Sequence, residues 1–344
     1  MPTPIRLLNL GPTRWLRTQS VYHALAETMT AESPDTIVLA QPLQPYLCIG
    51  YHQELASVLD RQTCARMGLP IVRRRVGGGA TYLDVNQLFY QCIFHHSRVP
   101  ATVSAVYAKL LAAPVATLKA LGLKAELRGE NEIEVSGAAT PHPQRIAGIG
   151  GGRIGEAAVV VGNVLFDFNY NAMTRAWRVP SESFRRLASE ALRDCVTTLW
   201  AELPRAVSPD EVQLMLIGEF ARALNRPVEQ GELTANEAQK IAEVEKRLVS
   251  YKWLNLHSNG ARPMTALKIS HGIFIRAAKA EIGAYQVRAA FWVRDDVIEQ
   301  AVLESEPGHH WSEVEAKLRG MKVGKPEHLI HGILSEEIRH AVRG

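Results

Sequence analysis

The hydrophobic and polar positions along the chain recur with two different periods, and each change of period marks a new element. Over residues 17–31, Val21, Ala24, Leu25 and Met29 return at spacings of three and four, which predicts an amphipathic helix. Thr36–Tyr51 carries β-branched and aromatic residues around Pro42 and Pro45 and predicts two short strands about a turn. Residues 52–68 read as a second helix, with Leu55, Val58 and Leu59 inward and Gly68 as its stop. Ile71–Val76 and Gln87–Phe94 predict strands entering and leaving a glycine-rich turn. Val103–Leu121 is helical in pattern, with Pro114 expected to kink or end it. Three strands follow, over 125–128, 131–136 and 157–168.

Beyond residue 205 the texture changes. Ser208-Pro209-Asp210-Glu211 and Thr234-Ala235-Asn236-Glu237 are capping boxes, the first with proline at the first helical position, and they predict helices over about 209–224 and 235–250. Met264–Val297 returns to a strand pattern. From Trp311 the chain is helical again, with the Pro326 segment a further helix start. The fold class is therefore α+β: a catalytic-sized domain over 1–205, a helical connector over 206–260, and a small α+β accessory domain over 261–344.

Composition narrows the function classes. With 39 Lys+Arg against 35 Asp+Glu, the net charge of +4 is too diffuse to indicate nucleic-acid binding, and 47% hydrophobic residues exclude a disordered chain. The most apolar stretches, near Leu110–Leu123 and Ala157–Phe168, are interrupted by Pro114, Lys119 and Gly162, so no membrane span is expected. The N-terminal residues lack a signal-peptide pattern, which makes the cytoplasm the expected compartment. Cys48, Cys64, Cys92 and Cys195 form no CxxC pair and are expected to be buried free thiols.

Two stretches carry chemistry. In Arg73-Arg74-Arg75-Val76-Gly77-Gly78-Gly79-Ala80-Thr81-Tyr82-Leu83-Asp84, fixed positive charge precedes a backbone that can turn tightly and present N–H groups to phosphate oxygens. Taken alone, these residues equally describe a glycine-rich hairpin behind solvated arginines, and they match neither GxxxxGK[ST] nor GxGxxG. The second stretch joins Asn131-Glu132-Ile133 to Gln144-Arg145-Ile146-Ala147-Gly148, Gly150–Gly152 and Gly162-Asn163. An amide, a carboxylate, a cation and flexible backbone are the groups that hold a nucleotide and its metal, although a polar strand end has the same composition. His95-His96 and His309-His310 lack a third ligand at a diagnostic spacing, and Cys48 and Cys92 lie in apolar strand patterns that suit structural thiols.

Together these residues resemble the lipoate-protein ligase A family, within the biotin/lipoate ligase and octanoyltransferase superfamily. RRRVGGGATYLD is similar to that family's RRxxGGGAxxxD loop, NEI to its NDI segment and RIAG to its KIxG motif. Pro45–Gln53 resembles its strand ending in IGxxQ, and VVVGNVLFDF its HGTLLxD strand. The resemblance spans about residues 10–200 and implies a large mixed-sheet catalytic domain of the biotin/lipoate ligase type with helices packed on it. Residues from about Ala261 to Leu318 resemble the accessory domain of bacterial ligases.

The resemblance implies ATP-dependent activation of lipoate or octanoate to the acyl-adenylate, with Mg²⁺, and transfer to a specific lysine of a lipoyl carrier protein or lipoyl domain, H-protein-like or 2-oxoacid dehydrogenase E2-like. It assigns Arg73 and Arg74 to phosphate and carboxylate contacts. Gly77, Gly78, Gly79, Ala80, Thr81 and Asp84, with Gly148 and Asn163, form the acyl-adenylate cradle. Asn131 and Glu132 lie toward the ribose or the Mg²⁺, and Arg145 is catalytic. Three departures stand out: Arg145 replaces the family's lysine, Glu132 its aspartate, and Leu83 and Val161 its histidines. The Arg145 replacement motivates the alternative of an impaired relative that binds lipoyl ligand or carrier without adenylation. A cysteine-thioester acyl transferase is the third reading, and it requires a cysteine in an exposed loop near the glycine-rich turn.

Overall fold

The computed structural model describes residues 3–137, 142–258, 260, 264–282, 284–306, 308–323, 335–336 and 338. The Pro326 segment lies outside the described residues. The chain divides into two compact units, the first formed by residues 1–55, 61–169 and 196–259 and the second by residues 56–60, 170–195 and 260–344.

A mixed six-stranded sheet organises the first unit, in the spatial order Ile149–Ile154, Ala157–Leu165, Gln87–His95, Thr36–Pro42, Ile5–Thr13 and Val228–Gln230. The last three strands run parallel, and the other pairings are antiparallel. Because side chains alternate along a strand, Ile37, Leu39, Leu88, Tyr90, Cys92 and Phe94 point to one face, with residues of the helices Val103–Ala120 and Pro209–Leu224. Val38, Phe89 and Ile93 point to the other, under the helices Arg17–Glu27 and Ala235–Leu248. The helices read from sequence as a connector thus cover both faces of this sheet, and the short strand between them extends its edge.

Pro114 does not end its helix, which runs unbroken over Val103–Ala120. Leu110, Leu111, Ala113 and Leu118 are fully buried, and burying them outweighs the one ladder bond that proline removes. By length and composition this helix could cross a membrane, yet one face of it packs into the core. The single helix expected over 52–68 is instead two, Leu55–Val58 and Arg61–Arg66. Leu59 leaves the helical path to bridge Trp177, and the Asp60 N–H donates to the Ala176 carbonyl at 2.9 Å. Both capping residues act as expected, but only Thr234 forms the reciprocal box, since the Glu211 carboxylate turns to Arg205.

The second unit is a four-stranded antiparallel sheet, Ala266–Ser270, Ile273–Ile282, Tyr285–Arg294 and Val297–Glu306, in sequential order. Asp295 and Asp296, at φ 47° and 62°, make the two-residue turn whose twist matches the strands it joins. The amphipathic helix Glu182–Cys195 packs on this sheet, as does Ser312–Leu318.

Candidate active site

The glycine-rich turn is built by the small sheet beneath it. Ile71–Arg73 and Thr81–Leu83 flank Tyr46–Ile49 on either side, so residues 74–80 must cross the end of the middle strand at Gly50. Gly50 has no room for a side chain: a Cβ there would sit 1.9 Å from the Gly78 carbonyl oxygen. Gly78 itself, at φ +103°, occupies a region open in practice only to glycine. The Arg74 side chain folds back under the turn and donates to the carbonyls of Gly77 (2.9 Å), Gly79 (2.8 Å) and Cys48 (3.3 Å). Its guanidinium therefore shapes the loop. With three carbonyls drawn inward by Arg74, the outer surface of Gly78 and Gly79 remains exposed.

The second motif meets this turn. The Gly77 N–H donates to the Gly151 carbonyl at 3.4 Å, and a Cβ on Gly150 would lie 3.0 Å from the Gly77 oxygen. Gly151 is confined from the other side by the Tyr107 hydroxyl, 2.5 Å from where its Cβ would be. Just upstream, the Gly148 N–H donates to Asn163 Oδ1 at 2.6 Å, Asn163 Nδ2 donates to Gln87 Oε1 at 2.6 Å, and Gln87 Nε2 donates to the Tyr82 carbonyl at 3.2 Å. This chain of amides fixes Gly148 relative to the strand that leaves the glycine turn. Gln87 and Tyr107 are site residues that the sequence reading does not include; a glutamine opening a largely apolar strand is the available signal for the first.

Asp84 closes the turn, its Oδ1 accepting from the Asn86 N–H at 3.0 Å. Burial raises its pKa, with Asp167 adding like charge, and burial beside Asp84 pushes the Tyr82 phenol up to about 12. Ala80 and Thr81 are half-buried between the glycines and this corner.

Arg73 is a correction to the sequence reading. Its side chain is 0% exposed, and its three nitrogens donate to the carbonyls of Gly50, Tyr51, Gln53, Trp253 and Leu254 at 2.6–3.2 Å. The planar fork is buried and spent on backbone carbonyls, so it anchors the chain rather than offering itself to a phosphate.

Arg75 positions the turn through its backbone, whose N–H donates to His23 Nε2 at 3.0 Å. His23 is fully buried and must stay neutral to accept that bond; burial, then Arg247, Arg75 and Arg74, hold its pKa well below the usual histidine value. Since the unfolded chain takes up this proton near pH 6.5 and the folded one does not, the stabilisation is complete above that pH and declines below it. The unfolding free energy is expected to fall by up to about 1.4 kcal/mol per pH unit from this group between pH 6.5 and 5, a slope that His23→Gln removes in urea titrations.

Arg145 lies on a two-residue strand whose partner is Glu132–Ser136, in register with Glu134. Cross-strand partners share a face, as do residues two apart, so Arg145, Glu134 and the buried Glu132 project to the same side. Ile133 and Val135 point oppositely, into the core. The Arg145 backbone is held by Thr197, whose N–H donates to its carbonyl at 2.9 Å, and its half-buried guanidinium has no side-chain partner among the described residues. It is a positioned cation without an assigned anion. The Ile146 N–H bonds the Ile133 carbonyl, which carries this face into the Gly148–Asn163 network. Asn131 stands in the turn before that strand. A buried carboxylate on this face suits a cation that takes one or two protein oxygens and the rest from phosphate, as Mg²⁺ does.

All four cysteines are free and buried. Cys48, next to the turn, lies against Arg74 at 3.6 Å, and burial pushes its thiol up.

This sheet, with its glycine turn docked on a glycine-rich hairpin, has the fold of the lipoate ligases. The bipartite lipoate protein ligase of Thermoplasma acidophilum, solved in a study with its E2 lipoyl domain, superposes with a TM-score of 0.67 at 22% identity, over 76% of this chain and 99% of that one. A lipoate-protein ligase A bound with ATP gives 0.61 at 21% identity, over 73% and 98%. Octanoyltransferase LipM of Kyrpidia tusciae is 25% identical over 240 residues, 64% of this chain and 87% of its own length. Residues 16–221 match the lipoyl protein ligase A/B catalytic domain, and the chain belongs to that family.

Proposed function

We propose that this chain is an ATP-dependent lipoate-protein ligase. A carboxylate oxygen of lipoate or octanoate attacks the α-phosphorus of ATP and pyrophosphate leaves; a lysine amine of a lipoyl carrier protein then attacks the acyl carbonyl and AMP leaves. The carrying observation is the burial of every cysteine, which disfavours an exposed thiolate holding the acyl group as a thioester and supports a phosphate anhydride as the activated form. The exposed backbone of Gly78 and Gly79 can approach the acyl-nucleotide closely, and Arg145 supplies charge where the α-phosphate and acyl carbonyl develop it. Mg²⁺ held with the nucleotide at Glu132 would neutralise the leaving pyrophosphate. The acceptor is a lipoyl domain, of H-protein or E2 type, in keeping with the partner of the archaeal ligase.

The similarity to LipM favours a second reading, octanoyl transfer from an acyl-carrier thioester without ATP. Both are tested by presenting lipoyl domains with lipoate, ATP and Mg²⁺, or with octanoyl carrier protein alone, and weighing the acceptor. Acyl addition in the first mixture only, with one pyrophosphate released per acceptor and full retention in Cys48→Ala, is the expected result. Modification in the second mixture only establishes the transferase. Failure of both, with lipoate still bound, returns the chain to the binding-only reading.

A further inference from the structure

We infer that the chain carries a second, separate cation site, for a divalent transition metal such as Zn²⁺, formed by His95, His96 and Glu156. The adjacent histidines lacked a third ligand in sequence; the fold supplies one from 60 residues away. Ala157 is the antiparallel partner of His95, and the His96 N–H bonds the Glu156 carbonyl at 2.9 Å, so the sheet itself holds the three backbones together. Glu156 Oε2 lies 2.8 Å from His96 Nε2 and 3.8 Å from His95 Nε2, and one ligand atom from each residue lies within 4.8 Å of the others. Tetrahedral ligands at zinc distances stand about 3.4 Å apart, between the two observed separations. Small side-chain rotations therefore suffice to close the set on one ion.

His95 Nδ1 accepts from the Ser97 N–H at 3.3 Å and lies 2.8 Å from Ser97 Oγ, and an ion on Nε2 would move the ring proton to Nδ1, where the Ser97 hydroxyl can accept it. Two details favour a metal over a simple ion pair. Arg153 approaches the other carboxylate oxygen, Oε1, at 3.6 Å, leaving Oε2 directed at the rings. The His95 N–H is anchored on Asp35 at 3.0 Å, while His96 and Glu156 are open to solvent and give an ion a way in. Two imidazoles and one carboxylate suit Zn²⁺ and its neighbours, whereas Mg²⁺ asks for oxygen ligands. The site is distinct from the candidate active site: His95 and Gln87 end the same strand, eight residues and about 26 Å apart.

Glu156 turns the hairpin whose first strand, Ile149–Ile154, carries the glycines that receive the Gly77 turn. An ion there would tie the hairpin to the neighbouring strand, and added Zn²⁺ is expected to raise the melting temperature. The test is calorimetric titration of tag-free, chelator-stripped full chain with ZnCl₂ and, separately, MgCl₂. One equivalent of Zn²⁺ should bind and Mg²⁺ should not, with His96→Gln and Glu156→Gln each weakening Zn²⁺ by at least about tenfold. Both substitutions fall at solvent-exposed side chains, and unchanged melting of the metal-free variants confirms folding. Zn²⁺ affinity unchanged in both variants, or no binding by the native chain, overturns the site.

Discussion

Arg73→Ala is expected to destabilise the first unit by about 4 kcal/mol or more, read as a large fall in the urea midpoint, while Arg75→Ala costs under about 1 kcal/mol. The two residues are neighbours in sequence and share a charge, so the contrast isolates what burial does. Removing the Arg73 guanidinium leaves five carbonyls, from residues 50–53 and 253–254, that lose their donor in a region the side chain itself fills. Each buried acceptor without a partner costs about 1–3 kcal/mol, and the space left adds a cavity. Burial already draws the Arg73 pKa down, which shows the desolvation these carbonyls offset. Arg75, by contrast, pairs at the surface with Glu27, a carboxylate that also has Arg247 and Lys240. Arg73→Lys separates charge from geometry: an ammonium has three donors for five acceptors, and an intermediate loss is expected. Equal costs for Arg73→Ala and Arg75→Ala would show that the carbonyl cage contributes nothing.

That contrast marks how far the letters could be read. Three arginines before three glycines announced a loop where backbone approaches a ligand, and the turn does form, stacked on Gly150 and Gly151 as convergence of the two motifs required. Which arginine faced out was not legible. The answer depends on where the strand ends: Arg73 is its last residue, pairs with Ile49 and points inward, whereas Arg74 already curls under the turn. The strand Ile5–Thr13 was hidden by Gly11 and Pro12, tolerated because a bulge interrupts its register there. The helix Glu182–Cys195 does show Phe184, Leu187, Ala188, Ala191 and Leu192 at helical spacing, a signal eclipsed by its many charges. Glu156 could not be found at all, since only sheet register brings it to His95. The cysteines were read correctly as buried thiols, because their apolar flanks are local information.

The largest functional effect is expected at Arg145. If this cation meets charge developing on the α-phosphate and acyl oxygen, Arg145→Ala should lower kcat/KM for acyl-adenylate formation by about 10²–10³, the range for losing one preorganised electrostatic contact. The urea midpoint should barely move, because the guanidinium has no side-chain partner to lose among the described residues and the strand is held by its backbone. A functional residue with little structural cost is what distinguishes it from Arg73 and Arg74, whose removal would damage the loop and lower activity indirectly. Arg145→Lys keeps the charge and trades a two-pronged donor for a compact one, so a loss of about tenfold is expected if the pocket is shaped to the fork. Pyrophosphate exchange with lipoate and ATP, measured beside the melting temperature, separates the cases. Exchange in Arg145→Ala within threefold of the native rate would remove Arg145 from the chemistry and leave the α-phosphate to be stabilised by backbone N–H groups alone. Faster exchange in Arg145→Lys would mean that the guanidinium restrains a site still fitted to an ammonium.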